Sequence, residues 1–404
     1  MNLFSKKNTS TGGISRRDFV VSATAISAAA AVASPLMAHA ETNPALVADQ
    51  PEAGHAAAHV GGLKMDDVLR VAREKLYPFC RVCPECDGVA CAGEVPGFGG
   101  IGTGSSFRNN YQGLAKLHLR MKTLHDVKNP DLSVEIFGRK IALPMMSGAT
   151  GGTTYNMGGK IGEEEFVEAI VGGCQQAGTI GWVADGIGDP TNVFERRMSV
   201  VKNYPGRVIV TIKPKSQEEI IKRIAMIEQA GGIAFGIDLD SAGRAARAVP
   251  GQIVEPKTRK QIEELVKSTR LPFIAKGIMT VEEAQIAVDA GARGIVVSNH
   301  GGRVLDHTPG VAEVLPEIAA KVKGKVLILA DGSVRHGADV LKLLALGADA
   351  TLCGRPLVRG AHGAGKDGVA LMINAIKAEM TDSMVLTGVA SARKVPHSIL
   401  EVRA

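Results

Sequence analysis

From about residue 140 onward, short β-branched runs alternate with longer helical patterns, and the β-branched runs number eight: residues 142–150, 179–186, 207–214, 234–240, 272–278, 294–300, 326–332 and 350–356. Strand followed by helix, repeated, is the signature of βα units and a parallel sheet. Eight such units are the number that closes the sheet into a barrel. The intervening segments 216–231 and 280–292 place apolar residues at helical spacing, set charges opposite them, and run into Gly231 and Gly291. They therefore read as outer helices with glycine stops. A doubly wound open sheet is the competing architecture, but it calls for G-x-G-x-x-G directly after an early strand. The glycines at 148–154 do not have that spacing. The expected fold is α/β: a (β/α)8 TIM barrel, preceded by an N-terminal Cys-rich extension.

The 404 residues, 45% of them apolar, are enough for one such barrel with a single large core. The net charge of +6 is modest and the basic residues are scattered. Aromatic residues make up only 4%, too few for a base-stacking platform, so no nucleic-acid partner is expected.

Arg16 and Arg17 precede an alanine-rich, weakly apolar run that closes on Ala38-His39-Ala40. This reads as a twin-arginine signal peptide over residues 1–40, with a membrane anchor as the alternative. The expected location is therefore periplasmic or otherwise exported. The twin-arginine route carries folded proteins, commonly with a cofactor already in place. Residues 41–62 lack periodicity and read as a tether. The extension spans 63–110, opening with an amphipathic helix over 63–78, and the barrel domain spans 111–404.

In a barrel of this kind the active site lies at the C-terminal ends of the strands. Those ends carry Asp238 and Asp240, Lys276, Asn299 and His300 with Arg303 and Asp306 beyond, Asp331 through Arg335, and Gly354-Arg355. Glycine loops after the last two strands are a usual phosphate site, where Arg335 and Arg355 add charge-assisted bonds. The alternative is that Asp331 and Arg335 merely cap a helix starting at Gly337.

The run Ser298-Asn299-His300-Gly301-Gly302-Arg303 with Asp306, preceded by Ala275-Lys276-Gly277, resembles the FMN-dependent 2-hydroxy-acid dehydrogenase and oxidase family. Residues 331–340 and Cys353-Gly354-Arg355-Pro356 resemble the same family's phosphate-binding segment. The resemblance covers roughly residues 140–400. It implies FMN as cofactor and a small, lactate-like 2-hydroxy acid as substrate. It also implies His300 as the base that takes a substrate proton, and Arg303 as the partner of the substrate carboxylate. Lys276 would lie against the flavin N1/O2 edge. Gly148, Ala149, Thr150 and Gly151 would pass along the flavin's other side. Ser298 and Asp331 join the cofactor set, and Gly332, Ser333, Arg335, Gly354 and Arg355 would hold the phosphate.

The chemistry agrees with these roles. A histidine titrates near working pH and can accept the proton. Its imidazolium needs an anion, which Asp240 supplies. An arginine fork matches a carboxylate better than lysine does.

Three features depart from the family. Its best-known members place one tyrosine in the strand-3 region and another near the N-terminus. Here residues 207–214 contain none, and the chain holds only Tyr77, Tyr111, Tyr155 and Tyr204. The segment from Ser241 to Leu271 is also short, leaving Arg244 or Arg247 as candidates to reach the substrate. These departures keep two other readings open: an FMN barrel with isomerase or reductase chemistry, and an exported hydroxy-acid-binding protein.

The third departure is Cys80, Cys83, Cys86 and Cys91, spaced C-x2-C-x2-C-x4-C ahead of the barrel. Export favours two disulfides, while free thiols and zinc or an iron–sulfur cluster are the other readings. Cys174 and Cys353 read as small buried core residues. The electron acceptor (oxygen, a quinone or a cytochrome) and a homo-oligomeric state are left open.

Overall fold

The computed structural model describes residues 62–247 and 253–402; the signal-peptide and tether segments, apart from Gly62, lie outside the described residues. Eight parallel strands follow one another in the chain: β1 (Met145–Ser147), β2 (Gly181–Ala184), β3 (Val208–Ile212), β4 (Ala234–Asp238), β5 (Phe273–Ile278), β6 (Gly294–Val297), β7 (Leu327–Ala330) and β8 (Ala350–Cys353). They pair in sequence from β2 to β8, and β8 then pairs with β1. The remaining seam, between β1 and β2, is drawn together by a Thr150–Val183 bridge. The Trp182 amide also donates to Ser147 Oγ across it at 2.7 Å. The barrel expected from eight runs is present.

Strands covered on both faces read as continuous apolar runs. β3 shows this most fully, with all five residues buried. Between strands, Gln217–Gln229 starts where Ser216 accepts from the Glu219 amide at 3.3 Å. Arg259–Lys267 starts on a Thr258/Gln261 capping box. Cys174 and Cys353 are buried in barrel elements.

All eight expected strands run longer than the observed ones, and at β4 and β6 a local backbone reason is plain. β4 ends at Asp238, and Asp240 sits in the 3-10 helix Leu239–Arg247 that follows. β6 ends at Val297, because His300, Gly301 and Gly302 adopt φ of 59°, 62° and 77°, which no strand continues. β1 occupies only Met145–Ser147 of the expected 142–150. After β4 and β6 the polar residues meant for the strand end, Asp240 and His300, stand on the turn just past it.

The extension packs on the barrel's C-terminal side chains. Its helix Met65–Leu76, expected over 63–78, lies against the long helix Arg355–Thr387. A second helix, Ser105–Ala115, runs through residue 110, where the sequence reading divides extension from barrel, and packs on Val311–Val322. Strand Leu117–Leu119 pairs antiparallel with Leu400–Val402, joining the start of the barrel domain to the end of the described chain.

Candidate active site

The C-terminal ends of the strands surround a cleft of about 960 Å³, open solvent included. His300 enters it from the left-handed turn after β6. Its Nδ1 lies 2.9 Å from Asp240 Oδ1 and 3.6 Å from Asp238 Oδ1. An ionised carboxylate only accepts hydrogen bonds, so Nδ1 carries the proton and Nε2 is the basic nitrogen. Burial lowers the His300 pKa, Asp240 opposes that, and the nearby Lys276 ammonium adds to the lowering.

Behind the histidine is a charge cluster. Asp238, fully buried, accepts from Lys276 Nζ at 2.7 Å on one oxygen and from Lys213 Nζ on the other. Lys213 Nζ also reaches Ser241 Oγ at 3.1 Å. Burial alone would raise the Asp238 pKa, but Lys213, Lys276 and His300 hold it well below the usual carboxylate range. Burial likewise opposes the Lys276 charge, yet Asp238, Asp240 and Asp331 raise its pKa above the ordinary lysine value. Lys276 is thus a fixed cation in the cleft. Asp238, Asp240 and His300 bring three potential ligand atoms within 4.8 Å of one another. With two ammonium groups already on Asp238, the trio is a neutralised ion cluster and a poor host for a metal cation.

Asp240 can approach His300 only because its neighbour on β5 has no side chain. At Gly277 the strand bulges, φ is +102°, and a Cβ would fall 2.7 Å from Asp240 Cβ and Cγ. Gly277→Ala is therefore expected to displace Asp240 and lower kcat by roughly 10²-fold with cofactor content retained, since an ångström of misplacement has that effect. Steady-state kinetics beside the flavin-to-protein ratio would check it, and an unchanged kcat would contradict it.

The far end of the cleft is built for an anion. Gly332 and Ser333 have φ of 85° and 70°, which turns the loop after β7 inward. Gly148 and Gly354 touch: a Cβ on Gly148 would lie 3.0 Å from Gly354 Cα. Ala149, Thr150 and Gly151 continue this wall. Ser333 Oγ and Arg335 Nε are buried without a partner among the described residues, as is Asp331 Oδ1. Unspent buried donors are rare and ask for a ligand. They occur where the family resemblance puts the phosphate, so these residues fit FMN.

The capping alternative for Asp331 and Arg335 is not what the structure shows. The helix starting at Gly337 is capped by Asp339, which accepts from the Arg335 and His336 amides at 3.0 Å. Glu379 accepts from the Gly337 amide at 2.9 Å. Asp331 instead accepts from Ser298 Oγ at 2.8 Å, and Ser298 Oγ accepts from the His300 amide at 3.0 Å. Burial pushes the Asp331 pKa up to about 6. Ser298 and Asp240 accordingly support His300 from behind, while the other expected residues line the cleft.

The two remaining arginines are partly committed. Arg355 lies 3.8 Å over the Phe107 ring and donates to Phe98 O at 2.8 Å and Gly301 O at 3.1 Å. Burial first, and Arg335 second, lower its pKa to about 10. Arg303 donates to Gly97 O and, at 3.1 Å, to Asn156 Oδ1, and lines both the cleft and an adjoining outer cavity of about 810 Å³. Arg244 reaches that outer cavity too and donates to the Arg303 carbonyl at 2.6 Å.

Three residues of the site escaped the sequence reading. Lys213, just past β3, could have been found by the strand-end rule applied to Asp238. Tyr155 and Asn156 could not: they come from the short helix Thr153–Asn156 after β1, and both line the cleft and the outer cavity. A tyrosine therefore does reach the site, although β3 carries none. Asp306 accepts from the Thr103 and Ser105 amides, fastening the extension to the loop after β6. Asn299 accepts from Asn110 Nδ2 at 2.7 Å and does the same.

The family model described as FMN-dependent dehydrogenase matches residues 98–257 and 238–402. The peroxisomal (S)-2-hydroxyacid oxidase GLO3 of Arabidopsis thaliana is 31% identical over 325 residues, 72% of this chain and 86% of that protein. The 4-hydroxymandelate oxidase of Amycolatopsis orientalis is 32% identical over 343 residues, 75% of this chain and 93% of that protein. Among solved structures, a mandelate oxidase variant carrying a C4a-OH-FMN adduct superposes with a TM-score of 0.67 at 30% identity, over 84% of this chain and 99% of the other. The chain belongs to the FMN-dependent dehydrogenase family.

Proposed function

We propose that this protein oxidises a small 2-hydroxy acid to the corresponding 2-oxo acid with FMN as cofactor. The observation that carries the reading is the His300–Asp240 contact at 2.9 Å in a cleft that Arg303 also lines, with an anion pocket at its other end. FMN, when bound, supplies the two-electron acceptor for the substrate's α-carbon.

The protein's own residues do the rest. His300 Nε2 takes the proton that the substrate releases, and Asp240 stabilises the resulting imidazolium through Nδ1–H. Arg303, a planar fork at the mouth of the outer cavity, pairs with the substrate carboxylate. Lys276, held protonated by its carboxylate neighbours, favours negative charge gathering at the cofactor. Pro96, Ile187 and Tyr155 give the outer cavity apolar surface for the acid's side chain. The relatives named as (S)-2-hydroxyacid oxidase and 4-hydroxymandelate oxidase support the same substrate class.

The test is an anaerobic absorbance titration of the purified protein with a panel of L- and D-2-hydroxy acids. One class of acid is expected to bleach the oxidised-flavin band, and the same acid is expected to leave His300→Ala coloured. A flavin that no acid bleaches would overturn the reading. Tyr155→Phe is expected to lower kcat/KM for that acid by roughly 10-fold, the loss of about one hydrogen bond to a charged group. An unchanged kcat/KM would remove Tyr155 from the substrate's contacts.

The chain's location is part of the same proposal. Arg16-Arg17 and Ala38-His39-Ala40 support export through the twin-arginine route with cofactor already bound. Mass spectrometry of the protein from the periplasm of a native or heterologous host would show a chain beginning at residue 41. A full-length chain kept in the cytoplasm would refute export.

A further inference from the structure

Cys80, Cys83, Cys86 and Cys91 have no part in the chemistry above, yet all four line one small cavity, about 350 Å³ with open solvent included, at the junction of extension and barrel. None is paired in a disulfide. The loop that carries them is folded tightly on itself: a Cβ at Gly99 would lie 1.8 Å from Cys91 O. A bidentate Arg81–Glu94 pair, at 2.6 and 2.7 Å, ties the loop across its base.

The barrel sends cations to the same place. Arg359, 8% exposed, lies with NH2 3.9 Å from Cys80 Sγ and NH1 3.4 Å from Cys83 O, while its Nε has no partner among the described residues. Arg335 NH2 lies 3.4 Å from Cys86 Sγ. Arg355 also faces the cavity. Among the described residues the hydrogen bonds of these three guanidiniums go to carbonyls and sulfurs and to no carboxylate, although Glu85 and Asp87 line the same cavity. Buried cations facing neutral thiols are costly; facing a thiolate-bound centre of net negative charge they are not.

The spacing selects the kind of centre. A single zinc draws its four sulfurs to about 3.8 Å of one another, from a Zn–S distance near 2.3 Å in a tetrahedron. Among the described residues no three of these thiols gather within even 4.8 Å. An iron–sulfur cube binds each thiolate at a different iron, so it takes a wider set, and a C-x2-C-x2-C run is one of its recurring ligand patterns.

We propose that Cys80, Cys83, Cys86 and Cys91 ligate a [4Fe–4S] cluster in this cavity, with Arg355 and Arg359 balancing its charge. Phe98 and Arg355 line both this cavity and the cofactor cleft, so the cluster and the flavin would share a wall. The cluster would then be the electron outlet, a role that rests on the proposed function although the ligation does not. Oxidising one hydroxy acid releases two electrons and two protons. Each electron, passed singly, takes the cluster from the 2+ to the 1+ state and goes on to an external one-electron carrier. One turnover yields one 2-oxo acid, two reduced carriers and two protons.

The test starts with the full chain purified without oxygen. About four irons and four acid-labile sulfides per chain are expected, with a broad visible absorption and an electron paramagnetic resonance signal after dithionite. These readouts need no substrate, so they stand or fall apart from the hydroxy-acid reading. Cys83→Ser and Cys86→Ser are each expected to lose the iron and keep the flavin. In those variants the acid should still bleach the flavin, while reduction of ferricyanide per flavin falls roughly 10-fold or more. Should a variant fail to fold, the metal and sulfide content of the unaltered protein decides. Stoichiometric zinc without sulfide, two disulfides in the non-reduced protein, or four free thiols after anaerobic reconstitution with iron and sulfide would each overturn the proposal.

Discussion

Replacing His300 with alanine is expected to lower kcat by roughly 10³-fold, the middle of the range for removing a positioned general base. Flavin content should be unchanged, because the residues that fit the cofactor's phosphate, on the loops after β7 and β8, do not include this ring. Asp240 fixes Nδ1 as the protonated nitrogen, so His300→Gln, which keeps a polar group but offers no base of suitable strength, should be nearly as slow. The pH profile carries the sign. Burial lowers the pKa of His300 below the ordinary histidine value, so the neutral, basic form persists into mildly acidic solution. Turnover should therefore stay on its plateau at neutral pH and fall only as pH drops through that lowered pKa. In Asp240→Asn the imidazolium loses its anion, so the pKa should fall further and the acid limb should move to still lower pH, with a smaller plateau. Stopped-flow bleaching of the flavin between pH 5 and 8 would show this. An acid limb at or above the ordinary histidine value of about 6.5 would contradict the reading of His300 as a buried base.

The same histidine marks where the sequence stopped being legible. The eight strands could be read because buried parallel strands are written as unbroken apolar runs, as Val208–Ile212 is. Their exact ends could not, because left-handed backbone at His300 and Ser333 is set by the packing around them and not by residue type. Phe107, buried beneath Gly302, belongs to a helix almost two hundred residues earlier. The helix cap at Gly337 was ambiguous for a similar reason: half of it comes from Glu379, 42 residues onward. Tyr155 was visible as one of four tyrosines, but its direction depends on a left-handed turn at Gly152, with φ of 76°. The strand-end motifs were legible because their chemistry is concentrated in short runs such as Ser298–Arg303. The cysteines were legible as a group, and their common cavity was not, since arginines from the barrel's last helix complete it.

The largest effect on stability is expected from Asp238→Asn. The carboxylate is completely buried and is the shared partner of two ammonium groups, Lys276 at 2.7 Å and Lys213 on its other oxygen. An amide of the same shape removes the charge and leaves both lysines without it inside the barrel. Breaking a buried pair in this way costs about 3–5 kcal/mol, far more than an exposed pair is worth. The double variant Asp238→Asn with Lys213→Met should be more stable than Asp238→Asn alone, because one stranded cation is gone; a purely steric defect would not be rescued. The acid dependence gives an independent check. The folded pKa of Asp238 is depressed well below the ordinary carboxylate value, so its contribution is complete above the unfolded value of about 3.9 and fades as pH falls below it toward the folded pKa. The stability gap between the unaltered protein and Asp238→Asn, read from urea melts, should thus be widest at neutral pH and narrow below about pH 4. A gap independent of pH would mean that the amide perturbs packing and that the charge itself contributes little. A gap that narrows would establish the lysine pair as an electrostatic platform, one that keeps Lys276 charged and holds His300 in its strained turn beside Asp240.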